Sequence, residues 1–176
     1  MEVILIRHTP VDVAPGTCYG QTDVPLKPTF EAEAAVTKAA LEAYEPFDHV
    51  FTSPLSRCIR LADFCGYPDA ERDRRLMEIN FGEWEMKRFD DITDNRLHEY
   101  YNDFINTSPT GGESFMAVYA RVKEFLEELR GKGWQRVAIF SHGGVLLSAS
   151  IYMGLADFNR PFDHLTPHGG ILCIEL

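Results

Sequence analysis

Two histidines in this chain follow short apolar runs that have the character of buried strands. Residues 4–6 lead into Arg7 and His8, and a later apolar run ends just before His142. In an open α/β sheet, ligands bind beyond the carboxyl ends of the strands. An arginine placed there can hold a phosphate or a carboxylate with two hydrogen bonds, and a histidine can act as a nucleophile or carry a proton. On Arg7 and His8 alone, a strand that ends in two solvated polar residues is an equally good interpretation.

A further arginine lies at another junction between a strand and a helix. Residues 49–52 resemble a strand and lead into Ser53 and Pro54, which suit the N-cap and first position of a helix. Arg57 therefore falls near a helix N-terminus, where backbone N–H groups attract anions. Attack of a neutral imidazole on phosphorus, giving a phosphohistidine that water hydrolyses, is the chemistry that this set suits. Both arginines would hold phosphate oxygens, and the second histidine would stabilise the charge of the transferring group.

An alkoxide leaving group needs a proton, so a carboxyl acid should complete such a site. Four glutamates are candidates: Glu78, Glu83, Glu85 and Glu113. Each of them is equally well explained as a surface residue. Glu78 is favoured because the neighbouring apolar residues Met77 and Ile79 indicate partial burial, which disfavours the ionised carboxylate.

The elements that must position these residues alternate along the chain as in an α/β fold. Strands are predicted at 4–6, 49–52, 136–140 and 171–176, and helices at 29–44, 53–66, 113–130 and 143–153. The last strand is expected at an edge of the sheet. We expect a single domain over residues 1–176, in which an irregular segment at about 79–112 covers the substrate. Residues 76–81, which overlap its start, suit a short strand or a turn, and residues 90–104 suit a polar helix.

Composition limits the partners of this chain. Of its 176 residues 45% are hydrophobic, enough for the core of one domain, and the formal net charge is −10. This charge argues against binding to nucleic acid or to an anionic membrane surface. It also makes a local cluster of cations informative, because the average surface would repel a phosphorylated substrate.

The four cysteines form no C-x-x-C pair, which favours reduced, mostly buried thiols over a metal or redox site. The first apolar run is too short for a signal peptide or a membrane span, and no later run reaches spanning length. We therefore expect a soluble, cytoplasmic protein. The sequence leaves the oligomeric state open, a dimer included.

Together the motifs resemble the histidine phosphatase superfamily, also called phosphoglycerate mutase-like. In chain order they are Arg7-His8, Ser53-Pro54-Leu55-x-Arg57, Leu76-x-Glu78-x-x-Phe81-Gly82-x-Trp84-Glu85, Gly112-Glu113-Ser114 and Ser141-His142-Gly143-Gly144. The resemblance implies a nucleophile, a proton donor and a phosphate pocket, which are respectively His8, Glu78, and the set Arg7, Arg57 and His142. It also implies a three-layer α/β/α sandwich with a mostly parallel sheet and an antiparallel edge strand, and no metal or other cofactor.

Within the superfamily the chain most resembles the α-ribazole phosphatase branch. That resemblance rests on Thr9, where a glycine is usual, and on the loop of residues 16–26. Enzymes of this branch remove the 5′-phosphate of α-ribazole phosphate, or of the cobalamin precursor that carries it. A second departure from the family pattern is Met86, again in place of a usual glycine. We expect a small, nucleotide-like phosphorylated metabolite as substrate, with contacts from Tyr19, Gly20, Gln21, Thr22, Trp84 and Gly143.

Other functions stay open beside this one. They are a phosphatase of another small metabolite, a phosphoglycerate mutase-type enzyme, a protein-phosphohistidine phosphatase, and a regulatory module that only binds a phosphorylated ligand. The complete catalytic set argues against the module. Two remaining features have simpler interpretations: His168 is expected to lie in a turn, and the aromatic residues between 79 and 119 mostly in the core. Trp84 or Tyr101 could instead stack on an aromatic base.

Overall fold

The computed structural model of the chain describes the backbone of residues 1–176 and every side chain except those of Pro161 and Phe162. Its strands form one sheet in the order β3-β2-β4-β1-β5. The strands are β1 (Glu2–Arg7), β2 (His49–Thr52), β3 (Glu71–Arg72), β4 (Arg136–Ser141) and β5 (Ile171–Glu175). Strands β1 to β4 run parallel, and β5 pairs antiparallel with β1 at the edge. The predicted mostly parallel sheet with an antiparallel edge strand is confirmed.

Helices cover both faces of this sheet. They are α1 (Phe30–Leu41), α2 (Ser56–Cys65), α3 (Arg96–Asn102), α4 (Phe115–Leu129) and α5 (Gly143–Tyr152). Alternate residues of β1 point to opposite faces, as the pleat of a strand requires. Val3 and Leu5 belong to the core beneath α4 and α5, whereas Ile4 and Ile6 belong to the core beneath α1 and α2. The fold is therefore the expected three-layer α/β/α sandwich.

The parallel strands place the predicted site at one edge of the sheet. Strands β1 and β4 are adjacent, with Arg7 paired in register with Ser141. His8 follows β1, and His142 follows β4 as the N-cap residue of α5. Because β5 is antiparallel to β1, the turn that precedes Ile171 also lies at this edge.

Helix α2 begins later than the sequence predicted. The prediction made Ser53 the N-cap and Pro54 the first helical residue, but the first helical residue is Ser56. The Ser53 N–H instead donates to the Phe140 carbonyl at 2.8 Å, so this residue extends the contact with β4. Asp23 Oδ1 accepts a hydrogen bond of 2.8 Å from the Ser56 N–H, and the loop before α1 thereby satisfies the helix terminus.

The middle of the chain is less regular than the flanking segments, as expected. Residues 76–81 form no strand, and the polar segment at 90–104 contributes only the short helix α3. Strand β3 was not predicted, because two residues are too few to show a pattern. The cysteines are free, and Cys18, Cys58 and Cys65 are buried. No helix within the described part of the chain is long and apolar enough to span a membrane.

Candidate active site

The imidazole of His8 is held in a defined orientation at the end of β1. Its Nδ1 lies 2.7 Å from the carbonyl oxygen of Thr9. A carbonyl only accepts hydrogen bonds, so Nδ1 carries the proton and Nε2 keeps its lone pair. The ring is 2% exposed. Burial, and secondly the charge of Arg57, hold the pKa of His8 well below its usual value, which keeps the ring neutral and nucleophilic near neutral pH.

Arg57 and His142 lie beside His8 and are completely buried. The His142 ring centroid is 5.2 Å from that of His8, and Arg57 Nε donates to His142 Nδ1 at 3.3 Å. The other ring nitrogen of His142, Nε2, lies 2.7 Å from Ser53 Oγ and carries the proton of the neutral ring. Burial, followed by the charge of Arg57, lowers the pKa of His142 as well. Ser53 therefore holds a catalytic candidate and does not cap a helix.

Arg7 has one donor that the protein does not satisfy. Its Nη1 donates to the Thr166 carbonyl at 2.6 Å, whereas its Nε is buried and has no hydrogen-bond partner among the described residues. A buried donor without a protein partner costs free energy unless a water molecule or a ligand supplies the acceptor. The guanidinium passes close to Gly143, where an added Cβ would lie 3.1 Å from Arg7 Cζ. A side chain at Gly143 would therefore crowd this arginine and require a small shift of its guanidinium.

Glu78 is the one predicted acid whose side chain lines the same cavity as His8 and Arg7. Its Oε1 accepts a hydrogen bond of 2.9 Å from the Ile79 N–H, and its Oε2 one of 3.3 Å from the Gly144 N–H. A Cβ at Gly144 would overlap with Glu78 Oε1. The two glycines after His142 thus let α5 begin directly beneath Arg7 and Glu78.

The three rival glutamates are placed for other roles. Glu113 pairs with Arg121 at 2.8 Å, and Glu83 is exposed. Glu85 accepts hydrogen bonds of 2.8 and 2.6 Å from the backbone N–H groups of Gln21 and Thr22. Burial alone would raise the pKa of Glu85, but these hydrogen bonds outweigh it and lower the pKa. Glu85 is therefore an ionised anchor for the loop and not a proton donor.

Of the four loop residues predicted to bind substrate, only Tyr19 lines the cavity. The carbonyl oxygens of Gly20 and Thr22 accept hydrogen bonds of 2.5 and 3.2 Å from Arg57. Gln21 donates from Nε2 to the Glu78 carbonyl at 3.0 Å. These three residues therefore hold Arg57 and the Glu78 backbone in place and do not line the cavity. A Cβ at Gly20 would overlap with the Ile79 carbonyl, which explains the glycine.

Trp84 lies outside the cavity, contrary to the prediction. It is 1% exposed, its Nε1 donates to Asp94 Oδ2 at 2.8 Å, and its ring packs edge-on against Tyr100. An indole that is buried and hydrogen-bonded in this way serves the core. Of the residues predicted to contact substrate, Tyr19 and Gly143 line the cavity.

An aromatic cleft extends the catalytic cavity away from His8. We use this name for the ring side chains of Phe81, Phe89, Tyr100, Phe104 and Phe115. The cavity has a volume of about 280 Å³, and a neighbouring groove of about 550 Å³ continues it past the exposed ring of Tyr101. Among the described residues that line the catalytic cavity, only Arg7 and Glu78 carry a formal charge. The sequence had assigned most of these rings to the core.

His168 lies in a turn, as predicted, and this turn brings its side chain to the site. Its ring centroid is 5.2 Å from that of His8, and its Nε2 is 3.3 Å from Arg7 Nη2. The signal that could have found it is the edge strand. A strand that pairs antiparallel with β1 must begin where β1 ends, so the residues just before β5 lie next to Arg7 and His8.

No group of three or more His, Cys, Asp or Glu side chains within the described residues is arranged to hold a metal ion. The predicted catalytic residues are instead brought together around one cavity, with Arg7, His8 and Glu78 on its wall and Arg57 and His142 beside His8.

Comparison with known proteins agrees with this geometry. A relative, adenosylcobalamin/alpha-ribazole phosphatase of Salmonella typhimurium, is 33% identical over 155 residues, which cover 83% of this chain and 76% of that protein. Phosphoserine phosphatase 1 of Hydrogenobacter thermophilus is 30% identical over 81% of this chain and 71% of its own length. The crystal structure of the alpha-ribazole phosphatase from Shigella flexneri matches with a TM-score of 0.87 and 25% identity, covering 100% of this chain and 91% of that one.

The model of the histidine phosphatase superfamily (branch 1) matches residues 3–174. This match includes every α-helix named above, every strand except its outermost residues Glu2 and Glu175, and every candidate catalytic residue. The chain therefore belongs to the histidine phosphatase superfamily.

Proposed function

We propose that this protein is a metal-independent phosphomonoesterase that works through a phosphohistidine on His8, and that its substrate is α-ribazole 5′-phosphate. The fixed imidazole supports the first part. With the proton held on Nδ1 by the Thr9 carbonyl, the lone pair on Nε2 can attack phosphorus while the bond to the ester oxygen breaks. Arg57 adds positive charge beside His8, and Arg7 Nε–H offers a buried donor to a phosphate oxygen.

Glu78 completes the cycle as proton donor and acceptor. In the first step its carboxyl gives a proton to the departing alkoxide oxygen. In the second step the resulting carboxylate takes a proton from water, the water oxygen attacks phosphorus, and the bond from phosphorus to His8 Nε2 breaks. Inorganic phosphate leaves, and both residues return to their starting states. Among the four glutamates considered, Glu78 is the one whose side chain lines the cavity.

The aromatic cleft is the observation that carries the choice of substrate. A leaving group bound there is desolvated by rings, and among the described lining residues it meets no cation beyond Arg7, which the phosphate occupies. Carboxylates, such as those of phosphoserine or phosphoglycerate, would be buried without a partner, which is costly. The flat base of a nucleoside such as α-ribazole instead gains apolar and ring–ring contacts. The Salmonella and Shigella relatives, which are named for this substrate, agree with this inference.

Substrate competition tests the proposal. We expect kcat/KM for α-ribazole 5′-phosphate to exceed that for phosphoserine and for 3-phosphoglycerate by about 100-fold or more, because each buried, unpaired carboxylate costs several kcal/mol. The assays contain EDTA, and we expect turnover to persist. Equal or better turnover of either carboxylate substrate would overturn the α-ribazole assignment. Loss of all turnover in EDTA, restored by a divalent ion, would overturn the mechanism.

A pair of variants locates the leaving-group subsite. Phe89→Ala removes one ring of the aromatic cleft, whereas Phe47→Ala removes a ring from a separate groove beside Tyr67. We expect Phe89→Ala to raise KM for α-ribazole 5′-phosphate by up to about tenfold, the value of one ring–ring contact. Inhibition by inorganic phosphate should not change in either variant. An unchanged KM in folded Phe89→Ala would contradict the subsite.

A further inference from the structure

The turn before β5 forms backbone hydrogen bonds with two catalytic candidates, Arg7 and His8. The Gly169 N–H lies 3.1 Å from the carbonyl oxygens of both Arg7 and His8, and the Arg7 N–H donates to the Gly170 carbonyl at 3.0 Å. Gly169 has a φ of +71°, in the left-handed region that glycine adopts without strain. The position of His168 relative to Arg7 and His8 is therefore fixed by main-chain hydrogen bonds.

The side chain of His168 contacts the guanidinium of Arg7 and the ring of His8. Arg7 Nη2 lies 3.3 Å from His168 Nε2, and because a guanidinium only donates, this nitrogen must be the acceptor. The same turn supplies the Thr166 carbonyl, which accepts from Arg7 Nη1. The turn thus fixes both terminal nitrogens of Arg7, while Nε is left without a protein partner among the described residues.

A neutral ring is needed for His168 to accept this hydrogen bond. Partial burial, followed by the charges of Arg7, Lys27 and Arg57, lowers the pKa of His168 to about 4. One carboxyl group, that of Glu33 on α1, lines a groove together with His168. At neutral pH the ring is therefore unprotonated, and the lone pair on Nε2 is available to Arg7.

We propose that His168 is a positioning residue for phosphoryl transfer, which orients the Arg7 guanidinium so that its free Nε–H faces the phosphate. This inference rests on the proposed phosphatase chemistry. Without the acceptor, the guanidinium would be held by Thr166 alone and could turn about its remaining hydrogen bond. Catalysis by positioned donors is sensitive to such displacements, because a misplacement of about 1 Å can cost about 100-fold.

Two substitutions of His168 distinguish the effect of losing its hydrogen bond from the effect of losing the imidazole ring. His168→Ala removes the acceptor, whereas His168→Gln offers an amide oxygen that can replace Nε2 and cannot be protonated. His164→Ala is the matched control, an exposed histidine on the same connection between α5 and β5. Turnover of p-nitrophenyl phosphate and inhibition by inorganic phosphate are measured for each, together with the melting temperature.

We expect His168→Ala to lower kcat/KM by about 10- to 100-fold and to weaken phosphate inhibition, with little change in melting temperature. His168→Gln should recover to within a few-fold of wild type, and His164→Ala should match wild type. Wild-type activity in folded His168→Ala, or a His168→Gln variant as defective as the alanine variant, would overturn the proposal. A wild-type protein that does not hydrolyse the aryl ester would instead overturn the phosphatase function itself.

Discussion

The orientation of the His8 imidazole depends on the backbone carbonyl of Thr9 and not on the Thr9 side chain. The family pattern has a glycine after Arg-His, whereas this chain has Thr9. Thr9 is not among the residues with a positive φ, so its backbone is open to a residue with a β-carbon. Its carbonyl oxygen still accepts the Nδ1–H of His8 at 2.7 Å. The substitution therefore preserves the feature that leaves Nε2 free.

The lowered pKa of His8 makes protein stability depend on pH. Unfolded histidine titrates near pH 6.5, whereas buried His8 titrates well below this value, so between the two pKa values the unfolded state binds the extra proton. Stability from this residue is thus present above pH 6.5 and is lost as the pH falls toward the folded pKa. Relative to His8→Gln, wild type should lose up to about 1.4 kcal/mol per pH unit below 6.5. Urea unfolding of both proteins at pH 7.5 and 5.5 measures this difference, and a difference that does not change with pH would contradict it.

The N-terminus of α5 lies directly against the Glu78 carboxyl, the proposed proton donor. The helix can begin beneath Glu78 because Gly144 has no Cβ, and an alanine there would overlap with Glu78 Oε1. The flexible carboxyl would move while the helix stayed in place, so the change should affect proton donation more than folding.

Gly144→Ala should therefore behave like Glu78→Gln. General acid catalysis is worth roughly 10²–10⁴-fold, so turnover of a nucleoside 5′-phosphate should fall toward that range. p-Nitrophenyl phosphate should be affected much less, since nitrophenolate leaves with little help from an acid. Gly131→Ala is the control, because its Cβ would make only an ordinary 3.5 Å contact with the Glu128 carbonyl. Equal losses on both substrates would count against the role of Glu78.

Met86 has a strained backbone conformation in the loop that follows Trp84. It is the one described non-glycine residue with a positive φ, at 64°, and its side chain is 50% exposed. Its N–H donates to the Cys18 carbonyl at 2.7 Å, which ties this segment to the loop around Arg57. The usual glycine of the family would adopt this conformation without strain.

Met86→Gly should consequently stabilise the protein by about 0.5–1 kcal/mol. The left-handed conformation costs a residue with a β-carbon roughly 1–2 kcal/mol, and part of the gain is offset by the greater freedom of glycine in the unfolded chain. Met86→Ala keeps the strain and should show no such gain. Thermal unfolding distinguishes the two, and a lower melting temperature for the glycine variant would show that the Met86 side chain contributes more than its exposure indicates.

For the whole molecule, patterns along single elements were predictable from the sequence, and contacts between distant elements mostly were not. The strand ends at Arg7 and His142 converge because parallel strands share an edge, which apolar runs and their order already imply. The contacts of Gly20 and Thr22 with Arg57 were not predicted, because a loop sequence does not reveal that its carbonyls accept hydrogen bonds from a distant arginine. The burial of Trp84 was not predicted for a similar reason, since its partner Asp94 lies in an irregular segment.

The phosphohistidine is the central claim, and trapping it is the most direct test. Wild-type protein is mixed with radiolabelled p-nitrophenyl phosphate and quenched during turnover. We expect label on the peptide that contains His8, labile to acid and stable to base. His8→Ala should show no label and a loss of turnover on the order of 10³-fold or more, while His98→Ala, at an exposed position of helix α3, should match wild type. Label that persists in His8→Ala, or turnover of that variant within about tenfold of wild type, would contradict the account.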